Sequence, residues 1–273
     1  MSTGRHDSGK EHTDVRQDLH AGGCRLIWGD CLEEIRKVPD GCIKAIITDP
    51  PYFIGLNANG LQSTYEDLNI ARPFYEPLIR EFARVLAPDG CLYFFTDWRT
   101  YPFYFRLIDP VLHVDNLLVW DKKSGPGTFY TNEHELIIFH TNNRSFRGKG
   151  CRNIIRGIPG FSAGAKKRDG EKIHPTQKPT ELIMKLIEDS TRPGDLVMDC
   201  FSGSGTTAVC CIRSAREFVG YEINERYFAS AIERLIQEEQ TNGFNGGMEE
   251  RCEGPPQEAG AGPGSDRSRR SPG

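Results

Sequence analysis

No apolar run in this 273-residue chain reaches the roughly 18 residues that a membrane span needs, and the first residues lack the apolar core of a signal peptide. The nine cysteines include no C-x-x-C pair. An odd, scattered set fits neither a disulfide framework nor a zinc site, so no metal is expected. Several lie inside apolar runs, where a free cysteine behaves as a small hydrophobe, and the reading is a reducing, cytoplasmic setting. The 29 glycines and 17 prolines follow no period, which excludes a collagen-like chain. An excess of positive charge is missing too: 34 Lys and Arg stand against 38 Asp and Glu, a formal −4. As a total, that argues against a surface coated for nucleic acid. With hydrophobic residues at 37%, a wholly disordered chain is excluded, and a soluble globular protein is left.

Residues 1–22 are almost entirely polar, and residues 241–273 are rich in Gly and Pro and end in an arginine cluster; both read as disordered tails. The working domain is then 23–240. Within it, short apolar runs alternate with helical patterns. Strands are expected at Arg25–Trp28, Ile43–Thr48, Cys91–Thr96, Val114–Trp120, Glu135–His140, Leu196–Cys200 and Glu217–Tyr221. Helices are expected at Leu32–Val38, Pro73–Leu86, Thr100–Ile108, Pro179–Thr191, Gly205–Ser214 and Asn224–Glu238, with Pro88-Asp89-Gly90 closing the second. This alternation implies an α/β fold with a doubly wound, mostly parallel sheet. The segment Arg144–Lys172 reads as irregular and carries nine Lys and Arg against two acidic residues, a local +7 that leaves −11 for the remainder. The basic charge is therefore concentrated rather than absent.

Two motifs carry chemistry. In the first, Asp199-Cys200-Phe201-Ser202-Gly203-Ser204-Gly205-Thr206-Thr207 follows a strand and opens a helix. Its glycines permit a tight turn and close approach of a ligand, and the helix offers unpaired N–H donors. Glu222 ends the next strand, where a βαβ unit presents a carboxylate to a bound ribose. The loop is neither G-x-G-x-x-G nor a P-loop, which leans away from pyrophosphate and towards a nucleotide such as S-adenosylmethionine. In the second, Asp49-Pro50-Pro51-Tyr52 ends an apolar strand at the carboxyl edge of the sheet. Two prolines make a rigid exit. The Asp49 carboxylate and the Pro50 carbonyl are acceptors suited to an exocyclic amine, and Tyr52 offers a face on which a planar base can stack.

Taken together, the chain resembles the β-class DNA amino-methyltransferases, the N6-adenine/N4-cytosine family dependent on S-adenosylmethionine. The resemblance rests on Gly29-Asp30-Cys31, Thr48-Asp49-Pro50-Pro51-Tyr52, His174-Pro175-Thr176-Gln177-Lys178-Pro179, and Phe201–Thr207 with Gly220-Tyr221-Glu222, in that order. It implies a seven-stranded, Rossmann-like methyltransferase sheet, circularly permuted so that the catalytic half precedes the cofactor half. It implies that Asp49, Pro50, Pro51 and Tyr52 are catalytic. The cofactor site it implies comprises Asp30, Cys31, Asp49, Thr176, Lys178, Asp199, Phe201, Gly203, Gly205, Thr206, Thr207 and Glu222. Asp30 and Cys31 would lie near the cofactor's adenine, and Thr176 and Lys178 at its methionine end, helix capping being the other reading of those two. Cys200 stands where many relatives have proline.

The basic segment falls where the family carries its target-recognition region, so Arg144, Arg147, Lys149, Arg152, Lys166, Lys167 and Arg168 are the implied DNA contacts. The activity implied is methylation of the N6 amine of an adenine flipped out of double-stranded DNA. Cytosine N4 and an inactive DNA-binding relative stay open as alternatives. A homodimer and a partner restriction nuclease stay open as partners; no membrane partner is expected.

Overall fold

The computed structural model describes residues 18–21, 23–51, 65–123, 125, 127, 129–142, 146–160 and 177–242. Its centre is a single sheet whose strands, in chain order, are β1 (Asp18–Ala21), β2 (Cys24–Trp28), β3 (Ile43–Thr48), β4 (Leu86–Thr96), β5 (Asn116–Asp121), β6 (His134–Thr141), β7 (Ile154–Ile155), β8 (Leu196–Asp199) and β9 (Glu217–Glu222). They lie in the order β1-β2-β9-β8-β3-β4-β6-β5-β7. The pairs β2–β9, β9–β8, β8–β3, β3–β4 and β5–β7 are parallel; β1 and β6 run against their neighbours. The doubly wound, mostly parallel α/β expectation holds.

Among the described residues the sheet has nine strands rather than seven, because a short strand is added at each edge. β1 pairs with β2 from Asp18 to Ala21, inside the segment 1–22 read as a tail. Its polar sequence hid it: an edge strand gains ladder hydrogen bonds without needing an apolar face. β7 pairs with β5 through Val119 and Trp120, so residues 146–160 of the basic segment, irregular apart from that two-residue strand, are docked on the sheet edge. The Trp120 indole N–H donates to the Ile158 carbonyl at 2.7 Å, and the Gly160 N–H to the Lys122 carbonyl at 2.9 Å.

The helices are α1 (Cys31–Glu34), α2 (Tyr65–Val85), α3 (Tyr101–Ile108), α4 (Thr180–Ser190), α5 (Thr206–Arg213) and α6 (Glu225–Asn242). Helix α2 begins upstream of Pro73 and contains Pro73 and Pro77. The two missing donors are four residues apart and so fall on one face of the helix, which localises the damage. Leu86 passes directly into β4, where Pro88, Asp89 and Gly90 form a bulge between the Ile43–Leu86 and Ala45–Cys91 pairs.

Helices cover both faces of the sheet. Ile46, Leu92, Phe94 and Met198 pack with residues of α1, α2 and α3. Ala45, Ile47, Tyr93, Phe95 and Val197 pack with residues of α4, α5 and α6. Being buried on both faces explains why β3 reads as a nearly unbroken apolar run. Each large apolar side chain buried there contributes about 1.5–3 kcal/mol.

Consecutive connections diverge between β8 and β3: the chain leaving β8 returns as β9 on one side, and the chain leaving β3 returns as β4 on the other. That topological switch point opens a crevice at the carboxyl ends of the strands, where open α/β sheets take their ligands.

Close packing beside the crevice demands a glycine at 220. A Cβ there would collide with the Ser202 hydroxyl and the Phe218 ring. Gly220→Ala is expected to destabilise the fold by about 1–3 kcal/mol, lowering the midpoint of thermal unfolding followed by circular dichroism; an unchanged midpoint would contradict this packing.

Candidate active site

Asp49 follows β3, and Asp199 ends β8. Because β3 and β8 are parallel neighbours, with Ala45 paired to Val197 and Ile46 to Met198, both carboxylates emerge at the switch point. The Thr48 hydroxyl donates to Asp199 Oδ1 at 3.2 Å, joining the two strand exits.

Asp199 organises the glycine loop. Its Oδ1 also accepts the Phe201 N–H at 3.0 Å, and its Oδ2 accepts the Thr207 hydroxyl at 2.8 Å. The loop is closed by the Gly205 N–H donating to the Ser202 carbonyl at 2.8 Å, and the Ser202 N–H donating to the Tyr221 carbonyl at 2.9 Å. Gly203 and Gly205 take φ of 52° and 74°, the left-handed region, and a Cβ on Gly205 would press on Ala231 of α6. Helix α5 starts at the next residue. Burial pushes the Asp199 carboxyl up to about 7, against the pull of its donors and with a further push from nearby Asp49.

Glu222, at the end of β9, is buried and holds the loop from the other side. Its Oε2 accepts the Gly203 N–H at 2.8 Å, and its Oε1 accepts the Asn224 N–H at 2.7 Å. Burial raises its pKa, and the backbone donors act against that rise. The Gly29 N–H donates to the Glu222 carbonyl at 3.1 Å, bringing the Gly29-Asp30-Cys31 turn alongside. Asp30 caps α1, accepting the Leu32 N–H at 2.8 Å, and Cys31 is buried. Phe201 is half-buried, its ring 6.3 Å from those of Phe74 and Tyr75. Thr206 is buried at the start of α5.

Lys178 has partners that the sequence did not point to. Its ammonium, 7% exposed, lies 2.5 Å from Asp49 Oδ2 and 3.1 Å from Glu135 Oε2. It also sits 5.2 Å above the Phe95 ring. Burial alone would favour losing the proton, but the two carboxylates outweigh it and hold the Lys178 pKa above the usual lysine value. Glu135 is in turn 3.0 Å from the Lys122 ammonium. Burial works against its charge, yet Lys178 and Lys122 keep its pKa below the usual value. Lys178 thus belongs structurally to Asp49.

Four residues of this region escaped the sequence reading. Glu135 carried a faint signal, a lone acid heading an apolar strand; Lys122 carried none. Arg234 of α6 donates to the Ser204 carbonyl at 3.2 Å and to the Thr206 hydroxyl at 3.1 Å, propping the loop from a helix read only as amphipathic. Ile223 is 70% exposed beside Glu222, its carbonyl accepting the Trp28 indole N–H at 3.1 Å.

Among the implied DNA contacts, Arg147, Lys149 and Arg152 are exposed but lie away from the crevice. They precede β7, which runs parallel to β5, so they fall at the amino ends of the strands. Gly148 confirms the place by donating to the Asp189 carbonyl at the end of α4, the helix that leads into the start of β8. Adding a parallel edge strand forces this entry from the far side. Tyr52, Arg144, Lys166, Lys167, Arg168 and Thr176 lie outside the described residues.

A protein-family model described as DNA methylase, N6/N4 type, matches residues 43–233. The chain belongs to that family. It is 31% identical to the DNA adenine methyltransferase YhdJ of Escherichia coli K12, over 77% of this chain and 82% of that protein. It is 28% identical to the type II methyltransferase M.HpaI of Haemophilus parainfluenzae, over 81% and 76%. Among solved structures, an M1.HpyAVI–SAM complex matches with a TM-score of 0.59 and 26% identity, covering 78% of this chain and 98% of that one. The PvuII cytosine-N4-specific DNA methyltransferase shares the fold, with a TM-score of 0.61 and 17% identity. This chain is therefore a DNA methyltransferase of the N6/N4 family, and the crevice at the switch point is its candidate active site.

The raised pKa of Asp199 has a consequence for stability. A carboxyl that titrates near 3.8 when unfolded and near 7 when folded favours the folded state only while protonated. Its ionisation therefore costs stability as pH rises from about 4 to 7. Asp199→Asn removes that cost, so the difference in melting temperature, variant minus parent, should grow more positive from pH 4 to pH 8. A difference independent of pH would count against a buried, ionisable Asp199.

Proposed function

We propose that this enzyme transfers a methyl group from S-adenosylmethionine to the N6 amine of an adenine flipped out of double-stranded DNA. The observation that carries the proposal is Asp49: a carboxylate at the switch point, its Oδ2 held by a buried lysine, followed by two prolines and standing next to the glycine loop. The aspartate at the head of the Asp-Pro-Pro-Tyr turn and the adenine-specific name of YhdJ support N6 over cytosine N4. The chain order, with β3 ahead of the neighbouring β8, supports a circularly permuted sheet.

The residues present suit the cofactor. Beyond the backbone N–H groups that Glu222 accepts from Gly203 and Asn224, its carboxylate has acceptor capacity left for a ribose hydroxyl. The exposed Ile223 beside it offers an apolar shelf to an adenine ring. When bound, S-adenosylmethionine supplies an electrophilic methyl whose bond to sulfur breaks as the new bond to nitrogen forms, leaving a neutral thioether. Asp49 and the Pro50 carbonyl act on the amine. By accepting its N–H donors they draw it out of conjugation with the ring and present the lone pair in line. Asp49 works here as an oriented acceptor rather than a strong base: the amine becomes acidic only once methylated, and its proton then leaves past the carboxylate to water.

DNA contacts belong on the carboxyl edge. Trp98 follows β4 there, 53% exposed, with the Arg99 guanidinium 5.2 Å from its ring. The β5–β6 connection on the same edge exposes Lys123, Phe129 and Tyr130. Aromatic faces with neighbouring cations suit bases and phosphates together.

Nucleoside analysis of treated DNA should find N6-methyladenine; N4-methylcytosine in its place would overturn the base assignment. Asp49→Ala should cut turnover about 100-fold or more with cofactor affinity retained. Glu222→Ala should weaken cofactor binding about 10- to 100-fold by calorimetry, as expected for losing charge-assisted hydrogen bonds. If DNA rides on the carboxyl edge, Arg99→Ala should reduce the salt slope of DNA binding by about one, and Arg147→Ala should leave it unchanged. The opposite pattern would return the interface to the basic segment.

A further inference from the structure

Lys122, Glu135, Lys178 and Asp49 form a chain of ion pairs that crosses four pieces of backbone. Lys122 stands at the exit of β5, Glu135 near the start of β6, Lys178 just ahead of α4 and Asp49 at the exit of β3. Their side chains are 18%, 14%, 7% and 22% exposed. Withdrawing four charges from water is costly, and apolar residues could join β5 to β6 without that cost. Such a cluster calls for a reason other than stability, and its end point, Asp49, supplies one.

The two oxygens of Glu135 face different cations: Oε1 meets Lys122 and Oε2 meets Lys178. That arrangement sets the plane of the carboxylate. Lysine carries its charge on a flexible four-carbon stem, and paired with Asp49 alone it would follow the carboxylate as that side chain turned. With Glu135 on one side and the Phe95 ring 5.2 Å away, the ammonium is anchored to the sheet. We propose that Glu135, itself held by Lys122, is a positioning residue for methyl transfer: it pins Lys178, and Lys178 fixes Asp49 through Oδ2 in the orientation that meets the amine. This rests on the reading of Asp49 as the amine's acceptor.

Among the described residues, the groups facing the Lys178 ammonium include Asp49 after β3, Glu135 from β6 and the Phe95 ring from β4. Lys122 lies behind Glu135, and Asp199 acts on Asp49 from β8. Removing the charge of Glu135 takes away one of the carboxylates that hold the lysine proton against burial. Loss of that proton at high pH would free Asp49, so activity should fail at a lower pH than in the parent.

The test compares Glu135→Gln, Lys122→Met and Lys122→Arg with the parent enzyme. Glu135→Gln should lower kcat about 10- to 100-fold, the scale of a small misplacement of a reacting group, with the KM for DNA unchanged. Affinity for S-adenosylhomocysteine, by calorimetry, should stay within twofold. The alkaline limb of its kcat profile should move to lower pH. Lys122→Met should act in the same direction to a smaller extent, and Lys122→Arg should restore parental turnover. The proposal is overturned if Glu135→Gln keeps kcat within twofold and its pH profile in place. It is equally overturned if kcat, product affinity and melting temperature fall together with the alkaline limb unmoved, the mark of a purely structural role. Asp49→Ala separates the two layers: turnover retained there sinks the reading of Asp49 itself, whereas a dead Asp49→Ala beside a normal Glu135→Gln sinks the positioning role alone.

Discussion

Two carboxylates leave adjacent parallel strands at one point of the sheet, and the surrounding structure is arranged around holding them with little help from water. Asp49 is held by a counter-ion, the Lys178 ammonium. Asp199 has hydrogen-bond donors instead: the Thr48 and Thr207 hydroxyls and the Phe201 N–H. Donors without a cation leave desolvation uncompensated, and the Asp199 carboxyl titrates near 7. Two neighbouring acids thus receive opposite treatment, one paired with charge and the other pushed towards neutrality. That divergence is the usual sign of acids with separate tasks. Asp199 braces the glycine loop against β3, and Asp49 is presented to the crevice.

The architecture explains why such an arrangement is economical to build. Helices α1–α3 cover one face of the sheet and α4–α6 the other, so the chain must change sides between β8 and β3. At that seam the connections leaving β8 and β3 part to opposite sides. Supports arrive from a distance: Arg234 from α6 beneath the loop, Glu135 from β6 beside the lysine, and the Gly29 N–H against Glu222. None of them is adjacent in sequence to the residue it steadies.

The parts of the site legible from the residues alone were those whose chemistry is local. Two prolines after an aspartate restrict their own backbone wherever they occur. Gly203 and Gly205 mark left-handed positions that side chains resist, and Glu222 is placed by the end of its own strand. The strands of the interior were legible because burial on both faces forces apolar runs. The edge strands were not, since β1 and β7 are held by ladder hydrogen bonds that any sequence can make. The same blindness hid that Arg147, Lys149 and Arg152 lie toward the amino ends of the strands. Charge density along the chain is visible, but which end of the sheet it reaches depends on a two-residue strand.

Sequence by itself determined the alternating α/β order, the turn at Asp49, the glycine loop and the acid that answers it. These follow from dihedral restriction and hydrophobic period, which act over a few residues. Tertiary structure alone decided that Lys178 serves Asp49 from 129 positions away, and that Glu135 and Lys122 stand behind it. It also decided that Arg147 and Lys149 enter from the amino ends of the strands, away from the crevice. Those outcomes depend on which strands become neighbours, and strand order is set by the packing of the whole sheet.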